Sequence, residues 1–176
     1  MSISQTLLPE YDQEMANTRK LLACVPDDKL DYKPHEKSMA MGRLAGHVAE
    51  LPSWALHTIQ VDRLDLTPVD GPGFKPFIAT SGIELLETFD KNVTEAREAI
   101  AGATDEHLAQ VWSLIYKGQT VLSMPRAAVL RNVVMNHLIH HRAQLGVYLR
   151  MNDVAIPGMY GPSADEGRMF AQQQNA

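Results

Sequence analysis

The hydrophobic residues of this chain recur every three or four positions over four long stretches, which are separated by segments containing proline and glycine. Such spacing is typical of amphipathic helices that bury one face. We predict helices over residues 4–23, from 38 to past 55, 81–101 and 125–151. The predicted buried face of the third helix comprises Ile83, Leu86, Phe89, Val93, Ala96 and Ile100. The pattern therefore indicates an all-α protein.

The segments between the helices carry the residues that start or end them. Ser38 is a candidate N-cap for the second helix, and Pro125 suits the first turn of the fourth. Residues 25–38 are predicted to form an extended connection. Residues 65–81 contain a cluster of prolines and glycines and are predicted to be a long loop, of the kind that forms a lid or a site wall.

A short β-hairpin is predicted before the last helix. Between residues 109 and 124, β-branched and aromatic residues flank the pair Lys117-Gly118. After the last helix, residues 152–167 are predicted to form a shaped turn over the helices, and residues 168–176 a disordered tail.

The composition suits one soluble globular domain covering residues 1–176, with 45% hydrophobic and 21% charged residues. The net charge of −5 and the lack of a basic stripe argue against a nucleic-acid partner. No apolar run is long enough to span a membrane, and the N-terminus lacks the features of a signal peptide. The single cysteine, Cys24, cannot form an intramolecular disulfide. We therefore expect a cytoplasmic protein with no membrane partner.

Three histidines, His137, His140 and His141, lie within five residues of the fourth predicted helix. His137 and His141 are four residues apart, so their rings project from one helical face and can reach one ion. His47, on the apolar stripe of the second helix, is the natural third ligand, since bundles build metal sites between facing helices. Each could instead be a hydrogen-bonded core residue, but three unpaired imidazoles would cost roughly a few kcal/mol each. We predict a three-histidine site with room for water.

Three motifs in order resemble those of DinB/YfiT-like proteins. Residues 136–150, NHLIHHRAQLGVYLR, resemble that family's C-terminal helix. Residues 33–51, with KPHEKSM and LAGHVAEL, resemble its connection into the second helix, and residues 156–166, IPGMYGPSADE, resemble its ending. The resemblance spans nearly the whole chain. It implies a four-helix bundle of up-down-down-up topology, often dimeric, that binds a divalent metal through His47, His137 and His141.

Five further residues near the predicted site have two interpretations each. Glu50 is either an acceptor for the N–H of a metal ligand or a solvated charge. Trp54 and Tyr160 either wall a pocket or belong to the core. Arg142 and Gln144 either orient bound groups or, as we favour, make hydrogen bonds between helices.

The remaining histidines are predicted to lie outside the metal shell. His140 falls beside the site and has a structural or interface role. His35, His57 and His107 lie in polar or loop-like surroundings and are predicted to be surface residues.

The residues and the resemblance together favour a metal-dependent enzyme with a small-molecule substrate. Zinc or nickel is favoured over iron or manganese. Three neutral ligands leave the ion its full charge, so it can activate a thiol or water nucleophile. The resemblance implies a low-molecular-weight thiol as cosubstrate, transfer to an acceptor, and a homodimer. The alternatives are a metal-dependent hydrolase and a non-catalytic metal-binding or stress-response protein, and no residue is singled out as catalytic.

Overall fold

Four long helices form the framework of the part of the chain that this computed structural model describes, residues 1–167. The predicted disordered tail, residues 168–176, lies outside the described residues. Within residues 1–167, no helix combines the length and the apolar composition that crossing a bilayer requires. The helices are α1 (Ile3–Leu22), α2 (Met41–Gln60), α3 (Gly82–Gly102), the short α4 (Asp105–Ala109) and α5 (Arg126–Val129), and α6 (Asn136–Met151).

Contacts along α1 fix the direction of two neighbouring helices. Residue numbers rise along α1 while they fall along α3, so these helices are antiparallel. Numbers rise together along α1 and the last helix, by which we mean the continuous helical segment of residues 126–151, and these two are therefore parallel. The side-chain pairs that show this are Asp12–Arg97 and Arg19–Asp90 for α3, and Glu10–Arg131 and Glu14–Arg142 for the last helix.

Contacts along α2 complete the topology. The Asn92 side chain of α3 donates to Ala49 O at 2.9 Å, and His107, just beyond α3, contacts Ile59 O near the end of α2 at 2.8 Å. Helices α2 and α3 therefore run parallel, and residues 61–81 cross back between them. The last helix runs antiparallel to α2, since Tyr148 contacts Met39 O and His137 contacts His47. The predicted up-down-down-up four-helix bundle is confirmed.

The predicted hairpin is confirmed and belongs to a three-stranded sheet. Strands β2 (Val111–Tyr116) and β3 (Gln119–Pro125) are antiparallel and are joined by Lys117 and Gly118, both at positive φ, as a tight hairpin turn requires. Strand β1 (Arg63–Asp65) pairs with β2 in parallel. Three residues are too few to show an alternating pattern, so this strand was not predicted.

One hydrophobic core cluster joins the four long helices. In α3 the predicted buried face is partly wrong, because Ile83 is 73% exposed and Leu85 is fully buried instead. Ile83 lies in the first turn of α3, whereas Leu85 is one turn before the buried Phe89 and continues its stripe. The residues of α2 that are fully buried in the core are Met41, Leu44, Ala45, Val48, Ala49, Leu51 and Ala55.

The prediction that Ser38 caps α2 is wrong. Ala40 occupies the N-cap position and makes no side-chain hydrogen bond there. Carbonyl groups of the preceding connection accept from the first helical donors instead: Met41 N–H donates to Tyr32 O at 2.9 Å, and Gly42 N–H donates to Leu30 O at 2.8 Å. The connection therefore satisfies backbone groups that a side-chain cap would otherwise satisfy.

The last helix contains a π-helical segment that the hydrophobic pattern did not predict. Pro125 is the N-cap of α5, and the π-helical segment Leu130–Met135 joins α5 to α6. At its end the Asn136 N–H donates to Arg131 O, five residues back. A π-helical segment shifts the helical register by one residue and often occurs at functional sites. Here it directly precedes His137.

Candidate metal centre

The structure brings the three predicted ligands together between α2 and α6. The Nε2 atom of His137 lies 2.9 Å from Nε2 of His141 and 3.4 Å from Nε2 of His47. One nitrogen from each ring falls within 4.8 Å of the other two, and all three residues are half-buried. The group consists of three imidazoles, and no carboxylate or cysteine of residues 1–167 belongs to it.

In each ring, a hydrogen bond holds the nitrogen that points away from the centre of the group. The other nitrogen of the ring can then direct its lone pair toward the centre. The Nδ1 of His47 lies 2.8 Å from Glu50 Oε1, and the Nδ1 of His141 lies 2.7 Å from Gln144 Oε1. Because both oxygens accept, each Nδ1 carries a proton, and in the neutral form of each ring Nε2 is the nitrogen that keeps a lone pair. His137 hydrogen-bonds to the backbone at Val133, within the π-helical segment.

Burial keeps the ring of His137, which contacts both of the other histidines, neutral. It is the largest effect on His137, and the neighbouring rings of His141 and His47 add to it, so that the pKa of His137 falls from 6.5 to about 4. Burial also lowers the pKa of His141, although the hydrogen bond to Gln144 opposes it. Near neutral pH these two imidazoles can therefore act as ligands without first losing a proton.

The spacing and chemistry of the three nitrogens fit one divalent ion. Nitrogens bound to one ion at about 2.0–2.1 Å lie roughly 2.9 to 3.4 Å apart for common ligand angles, a range that contains the separations of His137 Nε2 from the other two Nε2 atoms. Two ring nitrogens at these distances repel one another unless a proton or a metal cation lies between their lone pairs. The group could therefore hold a metal ion.

Glu50 is buried, at 6% exposure, and connects the histidines to the loop at residues 66–81. Its Oε1 contacts His47 Nδ1 and accepts from Arg43 Nη2 at 3.2 Å, and its Oε2 accepts from the Phe77 N–H at 2.8 Å. Arg43 Nη1 also donates to Phe77 O at 3.2 Å. These contacts correspond to the interpretation of Glu50 as an acceptor for a ligand's N–H, and they point its oxygens away from the centre of the group.

Two glycines of α2 allow the loop to lie against the helix beside the site. A Cβ atom added at Gly46 would lie 2.5 Å from Phe77 O, and one at Gly42 would lie 3.1 Å from Ala79 O. Real Cβ atoms do not approach backbone atoms as closely as the 2.5 Å found at Gly46. The lack of a side chain at Gly46 therefore permits the Phe77 peptide to reach Glu50.

Arg142 and Tyr160 contact α1 rather than the histidines. The Arg142 guanidinium is buried and contacts the Glu14 carboxylate at 2.8 Å and Thr18 Oγ1 at 3.1 Å. The Tyr160 hydroxyl accepts from Arg142 at 2.6 Å and donates to Glu14 at 2.8 Å, although the residue is 66% exposed. These contacts agree with the favoured interpretation of Arg142 as a group that links helices. The same interpretation of Gln144 is not the one seen, because its side chain contacts His141 of its own helix.

A groove of about 490 Å³ lies on the other side of α6 from the histidines. Arg142 and Tyr160 lie at this groove, and its wall also includes Ile139, Ala143, Val147, Met151, Ile156 and Met159. It is separate from the metal centre.

The other aromatic and histidine predictions have mixed outcomes. Trp54 belongs to the core and packs edge-on against Phe74, with ring centroids 5.9 Å apart. His140 is exposed, with its ring centroid 4.9 Å from that of His141. His35 and His57 are exposed as predicted. The prediction for His107 is wrong, because it is half-buried and contacts the Ile59 carbonyl, one of the last carbonyls of α2.

Three contributors to the site were not identified from the sequence: Arg43, the Phe77 peptide and the backbone at Val133. Arg43 could have been noticed, because it precedes His47 by one helical turn on the same face. The Phe77 contact depends on how a loop without a periodic pattern folds, and the Val133 contact depends on the π-helical register.

A four-helix bundle with three converging imidazoles defines a class of helical proteins able to hold a metal ion between two helices. The family model of the DinB family matches residues 1–175, and this chain belongs to the DinB family. It is similar to the uncharacterized protein YrdA of Bacillus subtilis, with 26% identity over 163 residues that cover 93% of this chain and 91% of YrdA.

Two solved structures share the fold. A DinB-like protein from Bacillus cereus has a TM-score of 0.65 and 23% identity, covering 87% of this chain and 95% of its own. The DinB-like protein YjoA from Bacillus subtilis also has a TM-score of 0.65, with 19% identity, covering 88% of this chain and 97% of its own. At these identities the likeness concerns the fold alone.

Proposed function

We propose that this protein is a divalent-metal-dependent enzyme that activates a low-molecular-weight thiol and transfers it to an electrophilic small molecule. The observation that carries the proposal is the convergence of three imidazole Nε2 atoms, with no fourth protein ligand among residues 1–167. An ion held by three neutral ligands keeps its full charge and has at least one position open.

The chain's own residues would bind the ion and orient the ligands. His47, His137 and His141 supply the nitrogens, while Glu50 and Gln144 hold two of the rings in the tautomer that binding requires. A bound divalent ion, zinc or nickel in our proposal, supplies a Lewis acid that lowers the pKa of a thiol or of water.

In the transfer, the thiol sulfur forms a bond to the electrophilic carbon of the acceptor. The thiol proton is released, and the leaving group departs with the electron pair of the bond that breaks. The preference for a thiol over water rests on the resemblance to DinB/YfiT-like proteins. Hydrolysis by the same centre is the alternative reaction.

Metal content and reactivity test the two parts of the proposal separately. Purified protein should contain about one equivalent of metal by elemental analysis; His137→Ala should abolish it, and His140→Ala should retain it. Full metal content in the His137 variant would refute the ligand assignment. The loaded protein should then consume a thiol in a panel with electrophilic acceptors. Ester or amide cleavage alone would support the hydrolase, and no turnover in either panel would leave a non-catalytic metal-binding protein.

A further inference from the structure

Arg43, Glu50 and the Phe77 peptide form a closed set of hydrogen bonds next to the metal centre. Arg43 donates to both Glu50 Oε1 and Phe77 O, and the Phe77 N–H donates to Glu50 Oε2. The remaining contact of Glu50 Oε1 is His47 Nδ1, at 2.8 Å. We call these three groups the Glu50 clamp.

We propose that Arg43 is a positioning residue for the metal centre, acting through Glu50 on the direction of His47 Nε2. The inference rests on the metal-binding part of the proposed function. It assigns a role to a residue that lies outside the three-histidine group and contacts none of its rings by a hydrogen bond.

The geometry explains why Glu50 requires a partner. A carboxylate that accepts one hydrogen bond can rotate about its side-chain bonds and still keep it. Here the Phe77 N–H holds Oε2, and Arg43 holds Oε1, so rotation would break one contact or the other. With both oxygens fixed, the acceptor for His47 Nδ1 has one position, and the opposite nitrogen has one direction.

Burial and charge point to the same conclusion. The side chains of Glu50 and Arg43 are 8% and 22% exposed, so water can replace little of what Arg43 supplies to Glu50. A guanidinium presents several donors in a fixed plane, which suits simultaneous contact with Glu50 and Phe77 O. A lysine could neutralise the charge but has a single ammonium group on a flexible stem.

A cobalt(II) titration of the metal-free protein measures both affinity and ligand geometry, because visible d–d absorption depends on the ligand field. We expect Arg43→Met to weaken Co²⁺ binding by about tenfold, a typical effect for residues that hold a ligand, and to change the d–d spectrum. Arg43→Lys should also weaken binding. The matched control is Arg97→Met, which removes a guanidinium paired with Asp12 on the surface of α3 and should leave affinity and spectrum unchanged.

A double variant tests whether Arg43 acts through Glu50. The Arg43→Met/Glu50→Gln protein should bind Co²⁺ no more weakly than Glu50→Gln alone, because the route from Arg43 to His47 is already altered. If the losses of Co²⁺ affinity in the two single variants multiply in the double variant, the inference is overturned. Wild-type affinity and spectrum in both Arg43→Met and Arg43→Lys would also overturn it.

Thermal melting of the metal-free variants shows whether a loss of Co²⁺ binding comes from unfolding or from a change in the position of His47. If Arg43→Met does not fold, the Co²⁺ titration is carried out on Arg43→Lys instead. If the wild-type protein binds no Co²⁺, the proposed function and this inference fail together. If the wild type binds and the Arg43 variants bind equally well, only the inference fails.

Discussion

Gly46 offers a test of how the loop at residues 66–81 is seated against α2. In Gly46→Ala, the new Cβ would lie 2.5 Å from Phe77 O, 3.1 Å from its carbonyl carbon and 3.3 Å from Ala79 N. All three are backbone atoms, so no change of side-chain rotamer relieves the contact. The loop must move, and the Phe77 N–H must withdraw from Glu50.

Gly146→Ala is the matched control, because Gly146 also lies within a long helix. Its added Cβ would meet only the Leu21 side chain, at 3.9 Å, an ordinary van der Waals distance. Both substitutions gain about 1 kcal/mol from the higher helix propensity of alanine. That gain cancels in the comparison, so the difference between the variants isolates the overpacking at Gly46, roughly 1–3 kcal/mol.

Thermal melting in the presence of a chelator measures this difference without a contribution from bound metal. For a chain of this size, about 1 kcal/mol shifts the melting temperature by roughly 2–4 °C. Gly146→Ala should melt above the wild type and Gly46→Ala several degrees below Gly146→Ala. Equal melting temperatures for the two variants would refute the close approach of Phe77 to α2.

The remaining predictions concern two buried arginines. Arg126, at 1% exposure, donates to Thr58 O and Val61 O. Arg126→Met leaves these carbonyls unpaired and should lower the free energy of unfolding by about 3 kcal/mol. Urea denaturation measures this, and an unchanged midpoint would contradict it. Arg142→Met leaves the buried Glu14 carboxylate without its cation and should cost about 3–5 kcal/mol. The folded Arg142 variant should keep its full metal content, and a loss of metal would instead place Arg142 in the site.

The helices and the histidine group could be predicted because both follow from local spacing. A period near 3.6 residues identifies which side chains face inward, and an interval of four residues places two imidazoles on one face. His137 and His141 satisfy both conditions. The partner His47 required the further assumption that α2 and the last helix face each other, and the structure confirms that they do.

The Glu50 clamp and the start of α2 could not be predicted in the same way. Phe77 reaches Glu50 through its backbone, which any residue type could supply, and its loop has no periodic pattern. Likewise, the carbonyls of Leu30 and Tyr32 replace a side-chain cap at the start of α2. Sequence patterns report on side chains, whereas these contacts are made by the backbone of irregular segments.

The positions of His141 and Arg142 in α6 favour a site that small molecules can reach. Successive residues of a helix point about 100° apart, so these neighbours face different parts of the bundle. Leu138, Leu145 and Leu149 lie on the same stripe as Arg142 and, like it, are buried. His137 and His141 lie beside that stripe and are half-buried, next to the exposed His140 and Gln144. An ion bound there would lie at the edge of the core, a location that suits exchange of substrate better than a role in stabilising the bundle interior.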